Sequence, residues 1–199
     1  MTPPSGGGRN APDRAGTAHA ATSYALDRPG NLLGALALAV TDRSFGSFAG
    51  AGAVSDTAAV ALSALFHFLD RPTIDHLRRV LGLTSSGTVR LVDRLEAAGL
   101  VARGEAEDGR ATAVVLTPSG RRVAGRVSAA RAETLERALA VLTPEQRSAF
   151  EELMSLVLAG LVRGPGAVRW ICRLCDMGAC GWHEGGCPVR QAAVAKAGA

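Results

Sequence analysis

Lysine is almost missing from this chain: of 22 basic residues, 21 are arginine and only Lys196 is lysine. Aromatic residues make up 4% of the 199 positions. No apolar run reaches about 18 residues without a charge, which argues against a transmembrane helix. The opening residues, Thr2 to Arg14, are polar and rich in Pro and Gly. They lack the basic stub and apolar core of a secretory signal, so a cytoplasmic protein without a membrane partner is expected. Nothing resembles a nucleotide-binding loop, a catalytic triad or a paired-carboxylate site, and no enzyme activity is expected. Cysteine is absent from the first 171 residues.

Four cysteines are then crowded into sixteen residues, Cys172, Cys175, Cys180 and Cys187, at C-x2-C-x4-C-x6-C spacing. Gly178, Gly181, Gly185 and Gly186 lie between them and suit a short loop wrapped around a small object. In a reducing compartment such a cluster points to metal rather than disulfides. The formal net charge of +4 is compatible with a polyanionic partner but does not establish one. The arginine excess, with abundant Ala and Gly, is also what a biased composition produces, so the positions of the arginines have to carry the argument.

Residues 1–23 hold little bulky apolar material and are expected to be a disordered tail. Residues 24–54 read as a helix from about Leu26 to Val40, followed by a flexible connection over 45–54. Leu62, Leu65, Phe66 and Leu69 then repeat at i, i+3, i+4, i+7, one buried helical face. Arg71-Pro72 ends that helix. Thr73 caps a short helix carrying Ile74, Leu77 and Leu81, which stops at Gly82. Thr84 or Ser85 caps the next, with Thr88, Leu91, Val92 and Leu95 inward and Gly99 at its end. Val101–Gly104 and Ala113–Leu116 read as strands around the charged turn Glu105–Arg110. Thr117-Pro118 opens a long helix. Thr143 and Gln146 are placed for a capping box on the last one, whose apolar face runs from Phe150 to Leu161.

A short helix, the turn Gly82-Leu83-Thr84, a second helix and a two-stranded ribbon form the order of a winged helix-turn-helix. In the second helix Ser86, Arg90 and Arg94 recur every four residues, opposite the apolar face. Thr84, Ser85 and Ser86 at its N-terminus suit phosphates or bases. Arg90 suits a base edge, with a bidentate guanine pairing available. Arg103 and Arg110 on the ribbon suit a minor groove or flanking phosphates. Taken alone, the arginine stripe is also what a solvated helix face looks like.

The stretch Thr73–Gly120 resembles the winged-helix core of the MarR family of bacterial transcription regulators. The resemblance is carried by Leu81-Gly82-Leu83-Thr84, by Leu91 to Glu96 with Gly99-Leu100-Val101, and by Asp108-Gly109-Arg110 leading to Val115-Leu116-Thr117. With the flanking helices it spans about residues 26–163. It implies a homodimer built from the first helix and the two last long helices and bound to a pseudo-palindromic double-stranded operator. It also implies that Ser86, Thr88, Val89 and Arg90 face the major groove, while Asp108 and Arg110 hold and insert the wing tip.

The cysteines lie beyond that likeness, and three readings of them compete. Zinc would take four thiolates, or three with His183, as a structural staple. An iron–sulfur cluster, 2Fe-2S or 4Fe-4S, would take all four. Here the CxxC start and the ending Cys187-Pro188-Val189-Arg190 resemble the cluster loop of SoxR, a redox sensor of the MerR family, though the inner spacings differ. A dithiol switch would need no metal. Trp170 and Trp182 read as shields of the centre or as an apolar anchor, His183 as a solvated neighbour, and His67 and His76 as residues of the helical core.

The expected fold is mainly α, a winged helix-turn-helix with long dimerisation helices and a small C-terminal Cys-rich metal-binding segment. Its parts are the DNA-binding unit at 55–118, dimerisation helices at 119–164, the Cys-rich segment at 165–191 and a tail at 192–199. The expected function is transcription regulation tuned by an iron–sulfur centre. The alternative is a repressor released by a small aromatic or lipophilic effector, with the tail a Zn2+ site.

Overall fold

The computed structural model describes residues 26–105, 112–164 and 166–198. The N-terminal tail and the wing tip, with Asp108 and Arg110, lie outside the described residues. Compactness divides the chain between Leu36 and Ala37, inside helix α1 (Arg28–Phe48). In the first unit the Asp27 carboxylate accepts the Gly30 N–H at 2.8 Å and opens α1, which leaves Leu32, Leu33 and Leu36 exposed.

In the second unit α1 runs on through residues expected to form a connection. Phe45 and Phe48 meet edge to face with centroids 5.6 Å apart, and Phe48 is fully buried. Their burial outweighs the helix penalty of Gly46, about 1 kcal/mol.

Helix α2 (Asp56–His67) is the centre of the core: Ser55 accepts the Ala58 N–H, and every residue from Ala58 to Leu65 is buried. Its small alanines let neighbouring elements approach closely. Thr73 caps α3 (Ile74–Leu81), which ends at Gly82 in the left-handed conformation, φ 66°. Thr84, not Ser85, caps α4 (Ser85–Ala97) by accepting the Gly87 N–H. Leu62, Leu77, Val80, Leu91, Val92 and Leu95 close the core between these helices.

Strand β1 (Val101–Glu105) pairs antiparallel with β2 (Thr112–Leu116), Val101 opposite Leu116 and Glu105 opposite Thr112. The Val114 N–H donates to the Pro72 carbonyl at 2.9 Å, tying the ribbon to the entry of α3. Thr117 then donates through its hydroxyl to the Gly99 carbonyl at 2.7 Å and caps α5 (Pro118–Leu139).

Gly120 sits where this cap crosses the ribbon, and a Cβ there would fall on the Leu100 carbonyl. Backbone on both sides leaves nothing to rotate away. Gly120→Ala is therefore expected to destabilise the domain by about 3 kcal/mol, at the upper end of overpacking costs, read as a lowered urea midpoint at unchanged m-value.

Helix α6 (Pro144–Leu161) opens with the expected capping box between Thr143 and Gln146. None of its residues is buried, and Leu153, Leu156 and Leu161 are each at least 60% exposed. Two further helices follow, α7 (Ala167–Ile171) and α8 (Pro188–Ala195), the second crossing the 191/192 boundary expected for the tail. With Pro188 in its first turn, α8 packs Val189 and Ala193 against Val162 and the cysteines.

Candidate nucleic-acid interface and thiol cluster

The exposed side of α4 is built by its own periodicity. Burying Leu91, Val92 and Leu95 turns Ser86, Val89, Arg90 and Arg94 outward. Arg90 folds back along the helix, Nε donating to the Ser86 carbonyl at 3.3 Å and Nη2 to the Ser86 hydroxyl at 3.4 Å. Arg94 does the same towards the Arg90 carbonyl. These are long, weak hydrogen bonds that a better acceptor displaces. The α4 N-terminus, with Thr84, Ser85 and Ser86 exposed, adds the positive end of the helix dipole to this face.

Two expected contact residues are placed otherwise. Thr88 is fully buried and its hydroxyl donates to the Thr84 carbonyl at 2.9 Å, so it packs in the core and does not face a groove. Apolar periodicity, which puts it inward, is right here. Arg103 turns back onto α4, with Nη2 2.5 Å from Asp93 Oδ1 and Nη1 paired to Glu96. It clamps the ribbon to α4 instead of reaching outward. On α3, Asp75 accepts from Arg79 and Arg78, and those hydrogen bonds hold its carboxyl below the usual carboxylate range.

The tail brings the four thiols into one small apolar cluster. Cys172 and Cys187 are buried, Cys175 and Cys180 half-buried, and all four are free. The Cys172 thiol hydrogen-bonds Cys175; that bond pushes Cys172 up and brings Cys175 down to about 7, with the Arg131 guanidinium helping. Cys180 is raised mainly by burial and then by the neighbouring charge of Cys187 and Cys175. Among the described residues, no three His, Cys, Asp or Glu side chains converge closely enough to hold a metal ion.

Several residues around the thiols carry more than the sequence suggested. Arg131 continues the Val123–Val127 stripe of α5 at i+4, where an apolar residue would be ordinary, and faces Cys175. His67 Nε2 lies 2.8 Å from the Ser128 hydroxyl, and its Nδ1 4.0 Å from Asp176, beside Cys175. Burial lowers the pKa of His67. Trp182 packs into the thiol cluster with the Arg190 guanidinium 5.0 Å over its ring. Trp170 shields no sulfur: it is 55% exposed and rests on Gly82. His183 is exposed.

Residues 54–111 match the sequence model of the MarR family. A MarR family protein of Bacillus stearothermophilus is 28% identical, with a TM-score of 0.58 over 64% of this chain and 88% of its own. A Mycobacterium tuberculosis MarR family protein in complex with p-aminosalicylic acid is 25% identical, with a TM-score of 0.51 over 64% of this chain and 96% of its own. The same mycobacterial protein in complex with DNA aligns at 23% identity and a TM-score of 0.54, over 66% and 98%. Residues 54–111 have a winged-helix fold similar to that of these MarR family proteins. No curated protein matches the chain. The family match ends at residue 111, so the thiols lie beyond it and stand on local chemistry alone. Among the described residues no helix is long and apolar enough to cross a membrane.

Proposed function

We propose that this chain is a dimeric, cytoplasmic, MarR-type transcription regulator that reads a pseudo-palindromic operator through α4. The observation that carries the reading is the outward face of α4, where Ser86, Val89, Arg90 and Arg94 stand free of carboxylate partners among the described residues. A relative of the same fold solved in complex with DNA supports it. Asp108 and Arg110 complete the reading as wing-tip contacts.

Dimerisation rests on α6, eighteen residues long without a buried side chain. Burying Leu153, Leu156 and Leu161 against a second copy stabilises by about 25 cal/mol per Å2 of apolar surface. Leu153→Glu with Leu156→Glu is expected to give a monomer by light scattering. Its operator affinity should fall at least tenfold, because two half-sites are no longer bound together.

The finer function assigned to Cys172, Cys175, Cys180 and Cys187 is an iron–sulfur centre whose state tunes operator affinity. Four thiolates around such a centre carry net negative charge, which Arg131 beside Cys175 is placed to offset. Half-exposed Cys175 and Cys180 leave it open to oxidants. A second reading keeps zinc there and gives regulation to a small aromatic carboxylate. It is favoured by a recess between α1 and α5 lined by Arg43, Ser47, Thr134 and Arg137.

The deciding experiments are selection of duplexes from a random-sequence pool and absorption of anaerobically purified protein. Enrichment of one palindromic sequence supports the regulator. Failure to enrich any sequence sinks it. A brown chromophore with bands near ~320–450 nm supports iron–sulfur, whereas stoichiometric zinc without colour supports the second reading.

A further inference from the structure

The cysteine segment does more than hold thiols: it lays a basic, aromatic surface against the helix-turn-helix. Helix α7 runs beside α3, and the Trp170 ring lies 3.7 Å from the Cβ position of Gly82. Gly82 is the left-handed cap of α3, two residues before Thr84, which caps the recognition helix. The positive φ of this cap favours glycine, and the Trp170 ring packs over it at van der Waals distance. The Arg173 guanidinium sits 4.0 Å over that ring, and its Nη1 donates to the Trp170 carbonyl at 2.6 Å. Arg169 is exposed one residue earlier, close enough to His76 on α3 for its charge to act there.

We propose that Arg169, Trp170 and Arg173 form an additional DNA contact of the reading head, a phosphate-binding shelf beside the start of α4. This rests on the reading of α4 as a DNA-recognition helix. Three features identify the partner as a nucleic-acid backbone rather than a protein. Among the described residues neither arginine has a carboxylate partner. From residue 163 to 190 the chain holds four arginines against Asp176 and Glu184. With Nη1 of Arg173 donating to the Trp170 carbonyl, its remaining N–H groups can donate to phosphate oxygens.

The shelf is also fixed by the thiols. Cys172 is the C-cap of α7, its N–H donating to the Val168 carbonyl at 3.0 Å, and the Cys175 N–H donates back to the Cys172 carbonyl at 2.9 Å. Whatever holds Cys172 and Cys175 holds Arg169, Trp170 and Arg173 against α3. The thiol centre thus reaches DNA through its own subunit, by placing or releasing a contact, without moving one reading head relative to the other.

The test is operator binding by full-length protein over a salt series. Removing one phosphate-neutralising cation flattens the slope of log affinity against log salt by about 0.9. Arg169→Gln, an exposed change that touches no packing, should flatten it by about one. Arg169→Gln with Arg173→Gln should flatten it by nearly two and weaken binding about tenfold at moderate salt, with the preferred sequence unchanged. Cys172→Ser with Cys175→Ser should produce the same flattening and add little to the arginine double variant. Wild-type slope and affinity in Arg169→Gln, where wild-type protein binds operator, overturns the shelf and leaves the regulator standing. Absence of any duplex binding by the wild type overturns both.

Discussion

Cys172→Ser combined with Cys175→Ser is expected to abolish retention of the proposed metal and unfold residues 167–195 locally, while the winged core keeps its melting transition. The segment has little to hold it otherwise. Its buried side chains are Cys172, Cys187, Val189 and Ala193, packed on Val162, and residues 172–186 are mostly turns. Ordering such a loop costs about 1–2 kcal/mol per residue in backbone entropy. The few small side chains buried there, at about 0.8 kcal/mol per buried CH2, fall short of that. A thiolate-bound metal, as proposed, contributes on the order of 10 kcal/mol towards closing that gap. Hydrogen exchange should therefore show amides such as those of Cys175 and Gly186 protected in wild type and open in the variant, with no change at Leu91 or Val92. Operator affinity should shift 5- to 150-fold between the two forms, the range of a 1–3 kcal/mol coupling. A variant that kept a protected tail and wild-type affinity under both reducing and oxidising conditions would remove the thiols from sensing.

Separate signals made the head and the tail readable to different degrees. Thr73, Gly82, Thr84, Thr117-Pro118 and the Thr143–Gln146 pair mark helix ends through hydrogen bonds spanning three or four residues, so their positions were legible in the chain itself. The apolar period of α4 likewise placed Thr88 inward, and the likeness by position that put it in the groove gave way to that period.

What depends on distant partners was hidden. Helix α1 runs through Gly46 because Phe48 finds the core, and nothing local in FGSF announces that. Arg103 is equivalent by composition to any exposed arginine until Asp93 and Glu96, ten and seven residues earlier, close on it. The perch of Trp170 on Gly82 joins residues eighty-eight positions apart. Pro188 with Val189 and Ala193 was a local signal for α8, a proline in the first turn followed by an i, i+4 apolar pair.

Arg90→Ala with Arg94→Ala is expected to lower operator affinity by two to three orders of magnitude while leaving binding to unrelated duplex reduced far less. The two positions differ in what they do. Arg90 lies one turn into α4, on the line of Ser86, where a recognition helix meets base edges. A bidentate guanine contact there discriminates by about 1–3 kcal/mol. Arg94 is one turn further back, at the depth of the backbone, and its removal weakens phosphate binding without regard to sequence. Arg90→Ala alone should flatten the base preference at one position of each half-site in a pool selection, and Arg94→Ala alone should keep the preference and flatten the salt slope by about one. Among the described residues both side chains rest only on long hydrogen bonds to their own helix, so neither change disturbs the core, and equal melting temperatures should accompany both losses. An Arg90→Ala variant that selects the wild-type sequence with wild-type sharpness would assign base reading to other exposed residues of this face, Ser86 and Val89 first.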